Sequence, residues 1–159
     1  MSEVDLLRTA REVAGSARAG EQVEVYVVRS RDVDVKVFGG EVESLAVAEV
    51  EGVGVRVITD GCQGYAWAGS LDPDVVADTV AEARDNAGFG SPDESYALAS
   101  PADVAAVEPA VLDLWRDDVL AVATADKVAL ALELEAATRS ADPRVRGVES
   151  ASYGDAAVE

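Results

Sequence analysis

From Val23 to Ala68 one valine-rich, alternating stretch follows another, and the links between them are only a few residues long. That shortness constrains the fold more than any other feature. A parallel neighbour needs a crossover of roughly a dozen residues or more, so strands joined this closely must run antiparallel. Val23, Val25 and Val27 alternate with Glu24 and Tyr26, and Val33, Val35 and Val37 alternate with Asp34 and Lys36. These read as two half-buried strands joined by a polar link around Arg29 to Asp32. Gly39-Gly40 supplies a reversal, a third strand follows from Glu41 to about Val50, and Glu51-Gly52 turns the chain again. Val53–Ile58 forms a fourth strand, and Thr59-Asp60-Gly61 leads into a fifth at Gly64–Ala68. The fold class expected is α+β: a two-layer sandwich in which an antiparallel β-meander of about five strands carries packed helices.

The flanks change period. From Val4 to Ala19, Leu6, Leu7, Ala10, Val13, Ala14 and Ala17 recur at helical spacing, and Gly20 closes the segment. Leu71-Asp72-Pro73 starts a second helix, with Asp72 able to cap the free amides and Pro73 at the first helical position. Its buried stripe is Val75, Val76, Thr79, Val80, Ala83 and Ala87, and Gly88 and Gly90 stop it. Between Ser91 and Trp115 the periodicity is lost and Pro92, Pro101 and Pro109 interrupt it, which reads as an extended strap pinned by Tyr96, Leu98, Val104 and Leu112. A helix beginning near Thr124 or somewhat earlier has two apolar sets, Val128/Ala131/Leu132 and Leu130/Leu134/Ala137/Ala141, so cover on two sides is expected. Asp142-Pro143 ends it, and Val145 to Tyr153 reads as one more strand. The organisation expected is a single domain over 1–159: a compact unit at 1–90, the strap at 91–116, and a helix and strand at 117–159 leading to a carboxy-terminal domain beyond the chain.

Charge narrows the functions. With 31 Asp and Glu against 13 Lys and Arg, the formal net charge is −18, which repels phosphate backbones and anionic lipid heads. Direct nucleic-acid or membrane binding is not expected. The acids are dispersed from Glu3 to Glu159, as a solvated surface requires, rather than gathered into one docking run. No stretch approaches the roughly 18 apolar residues that cross a bilayer, and Met1–Asp5 lacks a basic leader. With one cysteine, no disulfide can form within the chain; a cytoplasmic location is expected.

The search for catalytic groups is mostly negative. The chain has no histidine, which removes Ser-His-Asp and Cys-His arrangements and the His-Glu-x-x-His zinc helix. Cys62, in Gly61-Cys62-Gln63-Gly64, has Arg56 as its nearest cation in sequence, so it reads as a small strand or turn residue rather than a nucleophile. Gly52-Val53-Gly54-Val55 lacks the spacing of a phosphate loop; its glycines keep one sheet face low so that a helix or another chain can come close. Of the carboxylate pairs, Glu41/Glu43 and Glu49/Glu51 could converge on a strand face and Glu133/Glu135 on a helix could not, and solvated faces account for the first two. Tyr65, Trp67 and Trp115 are the candidate partner contacts, because aromatic residues dominate interface hot spots. Tyr65 and Trp67 share a strand face, and core packing is the competing account of both.

Three stretches carry a resemblance: Val23–Val27 with Val33–Val37 and Gly40–Glu43; Gly52–Ile58 with Asp60-Gly61, Gly64–Ala68 and Leu71; and Lys127–Ala131 with Glu135–Ala137 and Asp142–Val145. In this order and separation they resemble the amino-terminal domain of the TldD/PmbA family. The resemblance implies a two-layer α+β domain packed against a larger β-rich carboxy-terminal domain, in proteins that form homo- or heterodimers with homologous subunits. TldD-like members carry zinc on a His-Glu-x-x-x-His helix in the later part of the chain, and PmbA-like subunits lack it. The family's role is proteolysis of small, poorly folded proteins and modified peptides, with an older link to control of DNA gyrase. No residue here corresponds to the metal ligands, so the chain alone is not expected to be active and holds no cofactor; zinc would belong to the part beyond it. Two functions follow as expectations. One is the non-catalytic amino-terminal domain or fragment of such a peptidase or partner subunit, shaping substrate passage and dimer contact. The other is a stand-alone module that binds extended or basic peptides at a sheet edge.

Overall fold

The computed structural model describes residues 5–104, 112, 114 and 117–159. In order they form α1 (Leu6–Ala14), β1 (Glu21–Phe38), β2 (Glu41–Thr59), β3 (Cys62–Ala68), α2 (Pro73–Ala87), the short helical turns α3 (Pro101–Val104) and α4 (Asp117–Leu120), α5 (Thr124–Ser140) and β4 (Ala151–Val158). The sheet is antiparallel in the order β3-β2-β1-β4, an α+β fold with helices packed on a four-stranded sheet.

Among the described residues four strands stand where about five were expected: two of the predicted links are not links, which reduces the meander to three strands, and the carboxy-terminal strand joins the same sheet as β4. Arg29–Asp32 continues β1: Arg31 and Asp32 pair in the ladder with Ala157 and Ala156, and Arg29 exchanges both backbone hydrogen bonds with Glu159 (3.1 and 2.9 Å). The polar side chains find ions across the sheet instead of solvent in a loop, Arg31 with Glu49 at 3.4 Å and Arg29 with Glu51 at 3.8 Å. Nor does Glu51-Gly52 turn. A Cβ at Gly52 would lie 2.8 Å from the Ala68 carbonyl oxygen, so the glycine permits a close approach within a continuing strand. The reversals are Gly39-Gly40 (φ +66° and +83°) and Asp60-Gly61 (φ +50° and +72°), two-residue loops with both φ values positive, as tight hairpins of right-twisted strands demand.

Contacts divide the described chain into two compact units. One takes in the residues up to Arg29, those from Val50 to Val104, and Glu159; the other takes in Ser30–Glu49 and the described residues from 112 to 158. In the first, Val53, Val55, Val57 and Ala66 of the sheet meet Val13 of α1 and Leu71, Val76, Val80 and Ala83 of α2, with Val23, Val25 and Val27 alongside. Helix α1 is capped by Asp5, whose carboxylate accepts from the Arg8 amide at 3.0 Å. It stops at Ala14, not Ala19: the amides of Gly15 and Ser16 close onto Arg11 and Val13. Helix α2 has the expected bounds, but the Asp72 side chain makes no capping hydrogen bond. Its seat on β3 is Gly64, where a Cβ would lie 2.1 Å from both the Ala83 oxygen and the Ala87 nitrogen.

In the second unit Val33, Val35 and Val37 pack with Ala131, Val128, Leu132 and Tyr153. The other apolar set of α5 is not covered, since Leu130 and Leu134 are half-exposed. Strand β4 begins at Ala151, not Val145. Asp142 holds a turn that delays it, its carbonyl accepting from the Val145 amide and its carboxylate from the Arg144 amide (2.9 and 2.8 Å). Of the strap, Ser91–Ser100 is irregular, anchored by Asp93 N–H to the Gly61 carbonyl (2.8 Å) and Leu98 N–H to the Gln22 side chain (2.8 Å). Gly64→Ala is expected to lift α2 from β3 and destabilise the chain by about 3 kcal/mol, read as a lowered urea midpoint at an unchanged m-value.

Candidate functional site

Alternation along a strand sends neighbouring side chains to opposite faces, so the strands that feed Val23, Val25, Val55, Val57 and Ala66 into the first core present Glu24, Tyr26, Gly54, Arg56, Tyr65 and Trp67 on the other side. The β2–β3 register sets Trp67 opposite Gly54 and Tyr65 opposite Arg56. Arg56 Nε donates to Glu24 Oε2 at 2.8 Å across to β1. The Tyr65 ring leans over the bare backbone of Gly54: a Cβ there would meet its hydroxyl oxygen at 2.8 Å. Trp67, Tyr26 and Tyr65 are 72%, 65% and 59% exposed, so neither Tyr65 nor Trp67 is a core residue. The structure thus brings two of the three sequence-derived contact residues together and adds Tyr26. Trp115, the third, lies outside the described residues.

The glycine-valine alternation has a partner other than the one expected. Gly54 makes room for Tyr65, while the glycine that admits a helix is Gly64. The carboxylate pairs separate in the same way. Glu43 meets Lys36 at 2.6 Å, and Glu49 and Glu51 are bridged to Arg31 and Arg29, so neither pair converges on a shared ligand. Cys62 is partly buried with its thiol 3.5 Å from the Gly90 carbonyl, without a cation beside it in the contacts it makes.

Two charged residues on α5 were not legible as buried. Lys127, Ala131 and Glu135, one turn apart, form the buried stripe of the helix. The two oxygens of Glu135 accept from the amides of Gly39 and Gly40 at 2.8 and 2.7 Å, and Arg139 reaches the same carboxylate at 3.1 Å. The carboxylate clamps the turn that joins β1 to β2. Lys127 Nζ lies 2.6 Å from Asp155 Oδ2 and 5.9 Å from the centre of the Tyr153 ring, an ion pair whose approach is off-axis for a well-formed hydrogen bond. For Asp155 burial is the largest single influence and pushes its carboxyl up, but Lys127, the Tyr153 hydroxyl and the charge of Arg31 together hold it below the ordinary carboxylate range. The Tyr153 phenol is pushed up, chiefly by Asp155. The signal for these residues was their spacing of four from Ala131, which puts a charged side chain on an otherwise apolar stripe.

A zinc ion does not fit this donor set. The chain has no histidine and one cysteine, and among the described residues no three acidic or thiol groups gather at one point. A family model and one relative that match this chain have metal-dependent proteolysis in their names. The model of PmbA/TldA metallopeptidase domain 1 matches residues 23–87. Metalloprotease PmbA of Escherichia coli O157:H7 is 29% identical over 149 residues, which is 94% of this chain and 32% of that protein. Residues 23–87 carry the first-domain pattern of the TldD/PmbA family. Solved structures share its fold: TldE from Thermococcus kodakarensis, with a TM-score of 0.69 and 23% identity over 87% of this chain and 30% of that one, is similar. So is a candidate modulator of DNA gyrase from Bacteroides thetaiotaomicron, with a TM-score of 0.79 and 19% identity over 99% of this chain and 36% of that one. The chain therefore spans about a third of the length of these relatives.

Removing one member of a buried ion pair strands the other, so Asp155→Asn is expected to destabilise the chain by about 3 kcal/mol, with Lys127→Met on that background recovering most of the loss. Because the folded-state pKa of Asp155 lies below the unfolded one, its contribution is full above about pH 4 and fades as the pH falls through the folded value. Urea unfolding from pH 7 to pH 3 should show a steeper acid loss in the wild type than in the double variant.

Proposed function

We propose that the chain acts as the non-catalytic amino-terminal part of a TldD/PmbA-type zinc metallopeptidase or of its partner subunit, in the cytoplasm, where it takes part in proteolysis of small or unfolded peptides by shaping substrate passage and subunit contact. One observation beyond the family match carries this reading. The face of the first unit turned away from the helices holds three exposed aromatic side chains, which is what a contact surface has and a solvated face lacks. The donor set supports a non-catalytic role, since the reaction's metal would have to be held by another part of the polypeptide or by another subunit.

A second reading, a stand-alone module that binds extended segments, is favoured by the edge of β2. Strand β3 pairs only with Val53–Thr59, and every residue from Glu41 to Val50 is exposed, including Val42, Leu45 and Val47. An open edge of this length is a template for strand addition.

The two readings part in one experiment. Tyr65→Ala with Trp67→Ala, made in the native polypeptide, should leave its circular dichroism unchanged and cut both association with a TldD-type catalytic subunit and cleavage of an unfolded peptide by about tenfold or more. Unchanged association and cleavage would overturn the first reading, and undiminished peptide capture by the chain without any subunit would favour the second.

A further inference from the structure

We propose that the aromatic face of the first unit receives a polypeptide segment bearing arginine or lysine, whose cationic head groups stack on Trp67, Tyr65 and Tyr26. This rests on the reading of that face as a contact surface and adds the chemistry of its occupant.

The geometry supplies the receiving surface. Trp67 stands opposite Gly54 in the register and Tyr65 opposite Arg56. Glu24 reaches Arg56 from β1, and Tyr26 lies two positions further along β1 on the same face as Glu24. The hydroxyl end of Tyr65 lies over Gly54, and the side chain is more than half exposed. The rings therefore border a strand whose side chain is missing at the centre. A cation held over such rings is attracted by their quadrupoles, and arginine, with its planar head, is the better fit.

Charge selects among occupants. The chain carries a net charge of −18, which draws cationic segments and repels acidic ones. Arg56, the cation that shares this face, is already held by Glu24 at 2.8 Å, so an arriving guanidinium or ammonium meets no unpaired positive charge there. A second copy of the chain would bring a further excess of acid, which disfavours self-association through this surface. A neutral apolar segment would cover the rings without drawing on the field that surrounds them.

The test uses labelled peptides of about ten residues, rich in arginine, in lysine, in neutral residues or in acidic residues, titrated with the chain and followed by fluorescence anisotropy at about 0.15 M salt. The arginine peptide should bind tightest, the lysine peptide next, and the neutral and acidic peptides without saturation. Trp67→Ala should weaken arginine-peptide binding about tenfold, while Trp67→Phe retains most of it, with unchanged circular dichroism in both. Equal binding of the arginine peptide by wild type and Trp67→Ala would overturn the proposal, because attraction would then be diffuse. A preference for the neutral peptide, abolished by Trp67→Ala, would overturn the cationic assignment while leaving the face as a contact surface. Failure of every peptide to bind would overturn it as well, and the subunit-association experiment would still decide the broader function.

Discussion

The valines at odd positions of β1 and β2 do more to shape this chain than any other group. Val23, Val25, Val27, Val53, Val55 and Val57 enter one core, while Val33, Val35 and Val37 enter another, and each side chain points inward only because its neighbour points out. Burying a valine contributes about 1.5 kcal/mol or more relative to leaving it exposed, and a one-residue slip would turn every one of them to solvent. Register is therefore fixed by the core, and the opposite face is left to residues that the core does not need. In the first unit those residues are Glu24, Tyr26, Arg56, Tyr65 and Trp67, and their exposure follows from the alternation that builds the core.

Buried charge fixes what alternation cannot. A hairpin of two strands this long is held at its far end by Glu135, whose carboxylate takes both amides of the Gly39-Gly40 loop. Those amides belong to residues with positive φ, a conformation that suits glycine, and together they present two donors to one anion. The Lys127–Asp155 pair joins α5 to β4 in the same unit. Such pairs add little net stability compared with an apolar replacement, but removing one partner leaves the other's charge buried and unpaired.

Much of this was readable from the amino acids. The antiparallel order, both hairpin loops and helix α2 follow from period, glycine placement and link length, and the family resemblance rests on three named stretches in their order. What escaped the reading has physical causes. Arg29–Asp32 is a polar run that looks like a loop, yet Glu49, Glu51, Glu159 and β4 supply its ion partners and hydrogen bonds, and these lie far away in sequence. That run and Glu49–Val50 are where the chain passes from one compact unit to the other, so the composition marked a real change of environment without a change of secondary structure. Lys127 and Glu135 escaped because a charged residue is read as solvent-facing until its partner is known. On the face opposite the first core, the shared strand face and aromatic chemistry of Tyr65 and Trp67 are legible in the sequence, whereas Tyr26 reads only as a strand residue, because its proximity depends on a neighbouring strand.

If Tyr26, Tyr65 and Trp67 form the proposed contact surface, their reactivity must change together when a partner binds. Hydroxyl-radical footprinting of the chain, alone and mixed with a TldD-type catalytic subunit, tests it most directly. Rapid modification of all three rings in the folded chain, with joint protection when the subunit is added, is the expected result. Slow modification of the rings in the chain alone, or a complex that forms while all three remain as reactive as before, would contradict it.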